Sequence, residues 1–230
     1  MSTKRNTGKS RLPKKSAKEK ARALELLRLL YTYYPNPHCE LDYETPFQLL
    51  IATILSAQCT DVRVNQVTKV LFKEYPDAKS MSEAPLEELE ELVRPTGFFR
   101  NKALSISETS KTLMKTYNGE VPKTMDELLT LRGAARKTAN VVLGNAFGMN
   151  EGVVVDTHVG RLSNRFGLSS SSNPIIIEQD LMALFPQEEW TNLSHLLILH
   201  GRAACKARFA KPSNHEVCIR FGKKCSCKPG

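Results

Sequence analysis

The sequence predicts an all-α protein built from many short helices. The chain has 230 residues, of which 41% are hydrophobic, so it can bury a sizeable core. Apolar residues recur at helical spacing in segments that are separated by Pro and Gly. The β-branched run Val153-Val154-Val155 is too short to anchor a sheet.

The first element is an amphipathic helix from Ala17 to about Tyr34, which Pro35 terminates. Residues 1–16 are basic and nearly devoid of apolar side chains, so we expect a disordered tail. The same reasoning predicts a series of further helices over 46–57, 60–75, 86–93, 100–117, 125–131, 136–147, 157–166, 175–185 and 191–205.

The segment 122–148 predicts two helices joined by a tight hairpin. Thr124 and Glu127 have the spacing of a capping box, so a helix begins near Met125 and runs to about Leu131. We expect Gly133 to cap its C-terminus. A second helix begins near Arg136, with apolar residues at i, i+3, i+4 and i+7, namely Ala139, Val142, Leu143 and Ala146.

A tight hairpin leaves the first N–H groups of the second helix pointing outward, at the positive end of the helix dipole. A phosphate group can bind there, so such a hairpin can hold a DNA backbone without reading bases. An ordinary αα-hairpin with no ligand is the alternative that spacing alone leaves open.

Charge is concentrated at the two ends of the chain. Residues 1–22 carry a net charge of +8 and residues 200–230 a net charge of +7, whereas 23–199 carry −6. Basic ends can serve solubility alone, or they can attract a polyanion such as nucleic acid. No stretch approaches 18 consecutive apolar residues and no signal peptide is evident. We therefore expect an intracellular protein without a membrane partner, located in the cytoplasm or, where the polyanion is DNA, associated with the nucleoid.

The six cysteines form two groups. Cys39 and Cys59 stand alone in apolar surroundings, which predicts two small buried side chains. The other four crowd into the last 26 residues, where the absence of a secretory signal favours a metal site over disulfides. These are Cys205, Cys218, Cys225 and Cys227.

Residues 131–148, LRGAARKTANVVLGNAFG, resemble the helix-hairpin-helix of the endonuclease III family of DNA glycosylases. The resemblance covers most of 45–205. It includes LIATILSAQCTDVRVN (50–65), GFFRNKA (97–103), YNGEVP (117–122), VVVDTHVGRLSNRFGL (153–168) and LILHGRAAC (197–205).

The resemblance implies two helical lobes and a base-excision activity. One lobe, about 42–151, would carry the hairpin, and 17–41 would join 152–230 in a second lobe with a C-terminal [4Fe–4S] cluster. Duplex DNA with a damaged base or abasic site would bind a monomer in the cleft between the lobes. There Lys137 and Asp156 would meet as the catalytic lysine and aspartate, acting as a glycosylase and AP lyase on oxidised pyrimidines.

The local chemistry agrees with those two roles. Lys137 lies in the first turn of its helix, where the dipole and Arg136 disfavour a second positive charge and so favour a nucleophilic neutral amine. Without the resemblance, Lys137 would be a solvated surface charge. Asp156 would be the N-cap of the helix that begins near Thr157, a role that does not exclude catalysis.

The resemblance also implies a set of DNA-contacting residues. Gln58 matches the residue that fills the gap left by a flipped base, and Phe98 lies where the family places an apolar wedge. Without the resemblance, Gln58 would be a surface residue and Phe98 a core residue. The remaining expected DNA contacts are Gly133, Ala135, Arg136, Thr138 and His158.

The cysteine spacing C-x12-C-x6-C-x-C departs from the family's C-x6-C-x2-C-x5-C. Four thiolates suit iron–sulfur and zinc equally on softness. The C-x2–4-C pairs of zinc sites are missing, and the resemblance favours [4Fe–4S]. Loss of the metal is the third possibility.

The hairpin departs from the family's L-P-G-x-G-R-K at Arg132 and Ala135. A Gly at 135 could take a positive φ and approach a phosphate, so Ala135 predicts a weaker contact. The alternative function is therefore a homologue that binds damaged DNA with little glycosylase activity. A glycosylase for adenine mispairs is a further rival, but that branch lacks the lysine.

Overall fold

The computed structural model describes residues 12–207 and 215–223, and this part of the chain is all-α, as predicted. It contains no strand, and residues 153–155 have no regular secondary structure. No helix within these two ranges is long and apolar enough to cross a membrane. The helices α1 to α12 are, in order, Ala17–Tyr33, Pro46–Leu55, Asp61–Glu74, Ala78–Glu83, Leu86–Val93, Phe99–Tyr117, Met125–Leu128, Arg136–Phe147, Thr157–Arg165, Pro174–Leu184, Trp190–Ala203 and Glu216–Phe221.

Local signals account for where these helices begin. The Ser16 hydroxyl accepts a hydrogen bond from the Glu19 N–H, and the Glu19 carboxylate accepts one from the Ser16 N–H, which forms a capping box for α1. At α2, the Thr45 side chain caps the helix and Pro46 occupies its first turn. The capping box predicted at Thr124 is only half formed, because the Glu127 carboxylate bonds the Thr124 hydroxyl rather than its backbone N–H.

The chain divides into two compact units, Asn36–Val154 and a second made of Met1–Pro35 with Val155–Gly230. In the first unit, α2 is the central helix, and every residue from Phe47 to Leu55 is buried. It packs against α3, α6 and α8. Helix α8 buries Ala139, Val142 and Leu143 completely, which confirms most of the predicted apolar face.

In the second unit, α11 packs against α1 and α9. The guanidinium of Arg22 on α1 donates hydrogen bonds to the carbonyls of Phe166 and Phe221, at distances of 2.9 and 2.7 Å. These bonds fix α1 to the end of α9 and to α12. Of the expected disordered tail, residues 1–11 lie outside the described ranges. Lys15 is described, and its ammonium lies 2.6 Å from the Asp180 carboxylate.

Two helices escaped the sequence analysis, α4 and α12. Each has only six residues, which is too short for apolar periodicity to be distinguished from chance. The helix predicted over 125–131 ends at Leu128, so Gly133 is not its C-cap. Gly133 instead lies within the hairpin, with a φ of 81°.

Candidate active site

The hairpin between α7 and α8 is held against two neighbouring helices of its unit. The Thr109 hydroxyl of α6 donates a 2.6 Å hydrogen bond to the carbonyl of Arg132. A Cβ added to Gly133 would lie 3.2 Å from both Ile54 Cγ2 on α2 and Ser105 Cβ on α6. Close packing and a positive φ therefore both favour a glycine at this position.

Helix α8 begins directly after the hairpin with an open N-terminus. Its N-cap is Ala135, whose methyl group cannot accept a hydrogen bond from the first-turn N–H groups. Ala135 has φ −84° and ψ 172°, an extended conformation that any residue adopts. The backbone at Ala135 is therefore unstrained, and the weaker phosphate contact expected from its Cβ stays a prediction.

The first turn of α8 presents its charged residues to solvent. Arg136 and Lys137 are exposed, and Thr138 is buried. The expected DNA contact of Thr138 therefore cannot come from an exposed hydroxyl, and the N-cap residue Ala135 provides no side-chain cap for the first-turn N–H groups of this helix. The arrangement places a primary amine beside a set of N–H donors suited to a phosphate.

Asp156 lies in the second unit, where it caps α9. Its Oδ1 accepts a 2.7 Å hydrogen bond from the Val159 N–H, so the N-cap role is present in the structure. His158 is half-buried, and its Nδ1 lies 3.3 Å from Nη2 of Arg161. Because Lys137 and Asp156 belong to different units, their expected meeting at one site stays a prediction.

Gln58 and Phe98 share an unusual backbone conformation. Their φ angles are 53° and 49°, and Asn118 is the other non-glycine residue with a positive φ in the described chain. Both side chains are exposed, Phe98 by 68% of its surface. The interpretation of Phe98 as a core residue is therefore wrong. Strained backbone of this kind clusters at ligand-binding sites, which makes both turns candidates for contacts with DNA.

A buried lysine supports the turn that presents Phe98. Lys102 is only 5% exposed, and its ammonium donates a 2.7 Å hydrogen bond to the carbonyl of Thr96. Burial lowers the pKa of Lys102, and the nearby Cys59 side chain opposes this shift. Lys102 was not among the predicted site residues, although its place on the inward face of α6, beside Ala103 and Ile106, was a usable signal.

A second cluster of reactive side chains lies near the C-terminus. Ligand atoms of His200, Cys205 and Cys218 all lie within 4.8 Å of one another, and the three residues form a group that could bind a metal ion. All three side chains are buried, whereas Cys39 and Cys59 are only half-buried. The two other expected metal ligands, Cys225 and Cys227, lie outside the described residues.

Basic side chains and rings surround this cluster. Nη1 of Arg165 lies 3.1 Å from the sulfur of Cys205, and Nε2 of His200 lies 3.3 Å from the sulfur of Cys218. Burial, and secondly the charge of His215, lowers the pKa of His200 to about 3, so its imidazole is neutral at physiological pH. The His200 ring also contacts the rings of His215 and Phe166, with centroids 4.8 and 5.7 Å away.

The chain resembles known proteins over most of its length. The model of the HhH-GPD superfamily, described as base excision DNA repair proteins, matches residues 51–187. Endonuclease III of Synechocystis sp. is 56% identical over 199 residues, which cover 86% of this chain and 91% of that protein. Endonuclease III of Escherichia coli strain K12 is 41% identical over 82% of this chain and 89% of its own length.

Solved structures give the same result. A non-covalent complex of endonuclease III with DNA matches with a TM-score of 0.83 and 42% identity. The match covers 89% of this chain and 95% of that one. A trapped covalent endonuclease III–DNA intermediate matches with the same values.

Proposed function

This chain belongs to the HhH-GPD superfamily of base excision DNA repair proteins, and we propose that Lys137 and Asp156 carry its chemistry. The enzyme is a DNA glycosylase with AP lyase activity, of the endonuclease III type. The observation that carries the residue assignment is the exposed Lys137 on the open first turn of α8, next to the hairpin. The alternative of a merely DNA-binding homologue loses part of its basis, because Ala135 adopts an ordinary extended conformation.

The hairpin would hold the DNA backbone. The first-turn N–H groups of α8 would donate to a phosphate oxygen, and the exposed Arg136 would add a favourable charge. This contact is independent of sequence, as a repair enzyme that scans for damage requires. The basic segments 1–22 and 200–230 would add an attraction that depends strongly on salt.

Base extrusion would use the two strained turns. The exposed ring of Phe98 would insert as a wedge into the base stack, and the Gln58 amide would fill the gap left by the extruded base. Unstacking a base costs a few kcal/mol. Because both turns are already formed in the free protein, the free-energy cost of ordering these two loops on DNA binding would be lower. Lys102, through its bond to the Thr96 carbonyl, supports the Phe98 turn in this role.

The reaction would begin at the sugar of the extruded nucleotide. The Lys137 amine would attack C1′ through the lone pair of Nζ, and the damaged base would leave with the bonding electron pair and take up a proton. Ring opening then gives an imine between Nζ and C1′. Removal of a proton from C2′ would expel the 3′ phosphate by β-elimination, and water would release the enzyme.

Asp156 would serve this sequence as a carboxylate. Its Oδ1 caps α9, and we assign Oδ2 to stabilising positive charge on the sugar and to moving protons to and from Lys137. Oxidised pyrimidines are the proposed substrates, in duplex DNA, and a monomer is the proposed form. His158, close to Asp156 in sequence, would lie near the phosphates of the bound DNA backbone.

The [4Fe–4S] cluster that the family resemblance implies would use Cys205, Cys218, Cys225 and Cys227. Each thiolate of a cubane binds a different iron, so its thiolates are spread around the cluster. Here two sulfurs and a His200 ring nitrogen lie within 4.8 Å of one another, which is a more compact set. The described donors do not fit a cubane, and no step of the reaction is assigned to one.

The proposed function is tested with a panel of duplexes that contain thymine glycol, an abasic site or undamaged DNA. We expect base release and strand nicking at thymine glycol, nicking alone at the abasic site, and neither on undamaged DNA. Nicking of the abasic duplex without any base release would refute the glycosylase step. Binding without either reaction would establish the alternative of a damage-binding homologue.

A further inference from the structure

We propose that His200, Cys205 and Cys218 bind a single divalent metal ion, with zinc as the preferred metal. His200 lies on α11, Cys205 follows that helix by two residues, and Cys218 lies on α12. All three side chains are completely buried. The proposal does not depend on the proposed catalytic residues, since neither Lys137 nor Asp156 is among the three ligands.

The distances suit one ion. Zn–S bonds of about 2.3 Å and Zn–N bonds of about 2.0–2.1 Å place neighbouring ligand atoms of a tetrahedral site about 3.5–3.8 Å apart. The observed separation between His200 Nε2 and Cys218 Sγ is 3.3 Å, and all three ligand atoms lie within 4.8 Å. Small side-chain shifts would therefore bring the three donors into bonding distance of one zinc.

Residues around the three ligands are placed to orient them. The hydroxyl of Tyr34 lies 3.1 Å from Nδ1 of His200. If Nδ1 carries the proton, Nε2 presents its lone pair to the ion, which is the usual arrangement of a metal-bound histidine. Arg165 directs Nη1 at the Cys205 sulfur, 3.1 Å away, and Arg161 donates a 2.9 Å hydrogen bond to the Cys205 carbonyl, so both guanidinium groups hold Cys205 in place after the end of α11.

The chemistry of the donors favours zinc. Two thiolates with one imidazole match the mixed Cys/His sets of zinc sites, and zinc needs no redox partner. Binding would release the two thiol protons to solvent and form two Zn–S bonds and one Zn–N bond. A water molecule would complete the fourth position. The ion would join the C-terminal end of α11 to the short helix α12.

Metal analysis of the full-length purified protein is the direct test. We expect about one zinc per chain and no iron, hence no broad absorbance near 400 nm. His200→Ala and Cys205→Ser should each lose the zinc. The matched control Cys39→Ser, which alters a half-buried cysteine of the other unit, should retain it.

A gain-of-ligand variant covers the case in which His200→Ala fails to fold. In the cobalt-substituted protein, His200→Cys should retain the metal and increase the intensity of the thiolate-to-cobalt absorption, because one more thiolate binds the ion. Several iron atoms per chain with absorbance near 400 nm would overturn the proposal in favour of a cluster. Absence of metal, or cobalt spectra that His200→Cys leaves unchanged, would overturn it as well.

Discussion

Replacing Gly133 by Ala measures how tightly the hairpin is packed. An L-residue at a φ of 81° is strained by roughly 1–2 kcal/mol. The new Cβ would also lie 3.2 Å from Ile54 Cγ2 and Ser105 Cβ, and overpacking of this kind costs about 1–3 kcal/mol. We therefore expect the free energy of unfolding to fall by about 2–5 kcal/mol.

Gly148→Ala is the matched control. Gly148 also has a positive φ, 66°, but a Cβ there would meet no atom within 4 Å. It should therefore lose only the backbone share, about 1–2 kcal/mol. Thermal melts followed by circular dichroism give the comparison, since 1 kcal/mol corresponds to about 2–4 °C at this chain length.

The two variants should also differ in DNA binding. The close contacts of the new Cβ at position 133 are relieved only if the hairpin or the neighbouring helices shift. Such a shift would also move the N-terminus of α8. Affinity for an abasic duplex should fall in Gly133→Ala and stay unchanged in Gly148→Ala. If both variants lose equal stability, the packing argument is refuted, and if both bind DNA like the wild type, the hairpin is not the phosphate site.

Three further predictions concern single side chains. Ala135→Asp should raise the free energy of unfolding by about 0.5–2 kcal/mol, because the carboxylate would cap α8, and it should weaken binding to abasic DNA, because the same carboxylate would block the phosphate site. Unfolding curves and DNA-binding curves measure the two effects, with Ala135→Gly as the control. Asp156→Asn should slow turnover while leaving the melting temperature nearly unchanged, since Asn caps a helix as well as Asp does. A variant that turns over as fast as the wild type would show that the carboxylate has no part in the mechanism. Burial, and secondly a hydrogen bond to Glu189, raises the pKa of Tyr31 to about 12 from 10.0. Between pH 10.0 and about 12, the Tyr31 phenol loses its proton in the unfolded chain but keeps it in the folded protein. The free energy of unfolding should therefore fall as the pH rises through this range, and it should fall less steeply in Tyr31→Phe.

Sequence patterns predicted those parts of the fold that depend on local signals. The bounds of α8 followed from its apolar spacing, and the first helix from its periodicity and Pro35. The six-residue helix α12 was missed because it is held by tertiary contacts such as the bond from Arg22 to the Phe221 carbonyl. Local patterns also could not show that Phe98 turns outward, because its positive φ is imposed by the surrounding turn.

The candidate site likewise combines features that residue types could predict with features that only the folded structure shows. The open N-terminus of α8 and the cap at Asp156 could be inferred from residue types, but the pairing of Lys137 with Asp156 came only from the family resemblance. Counting cysteines indicated a metal site near the C-terminus. It could not reveal His200, because that residue reaches the sulfur of Cys218 only through the tertiary structure, across 18 positions of the sequence.

Borohydride trapping on an abasic duplex tests the central claim, that Lys137 is the nucleophile. The wild-type protein should form a covalent adduct that peptide mapping places on Lys137. Lys137→Ala should form none while still binding the duplex, and the neighbouring variant Arg136→Ala should still be trapped. An adduct that persists in Lys137→Ala, or that maps to another residue, would contradict the account.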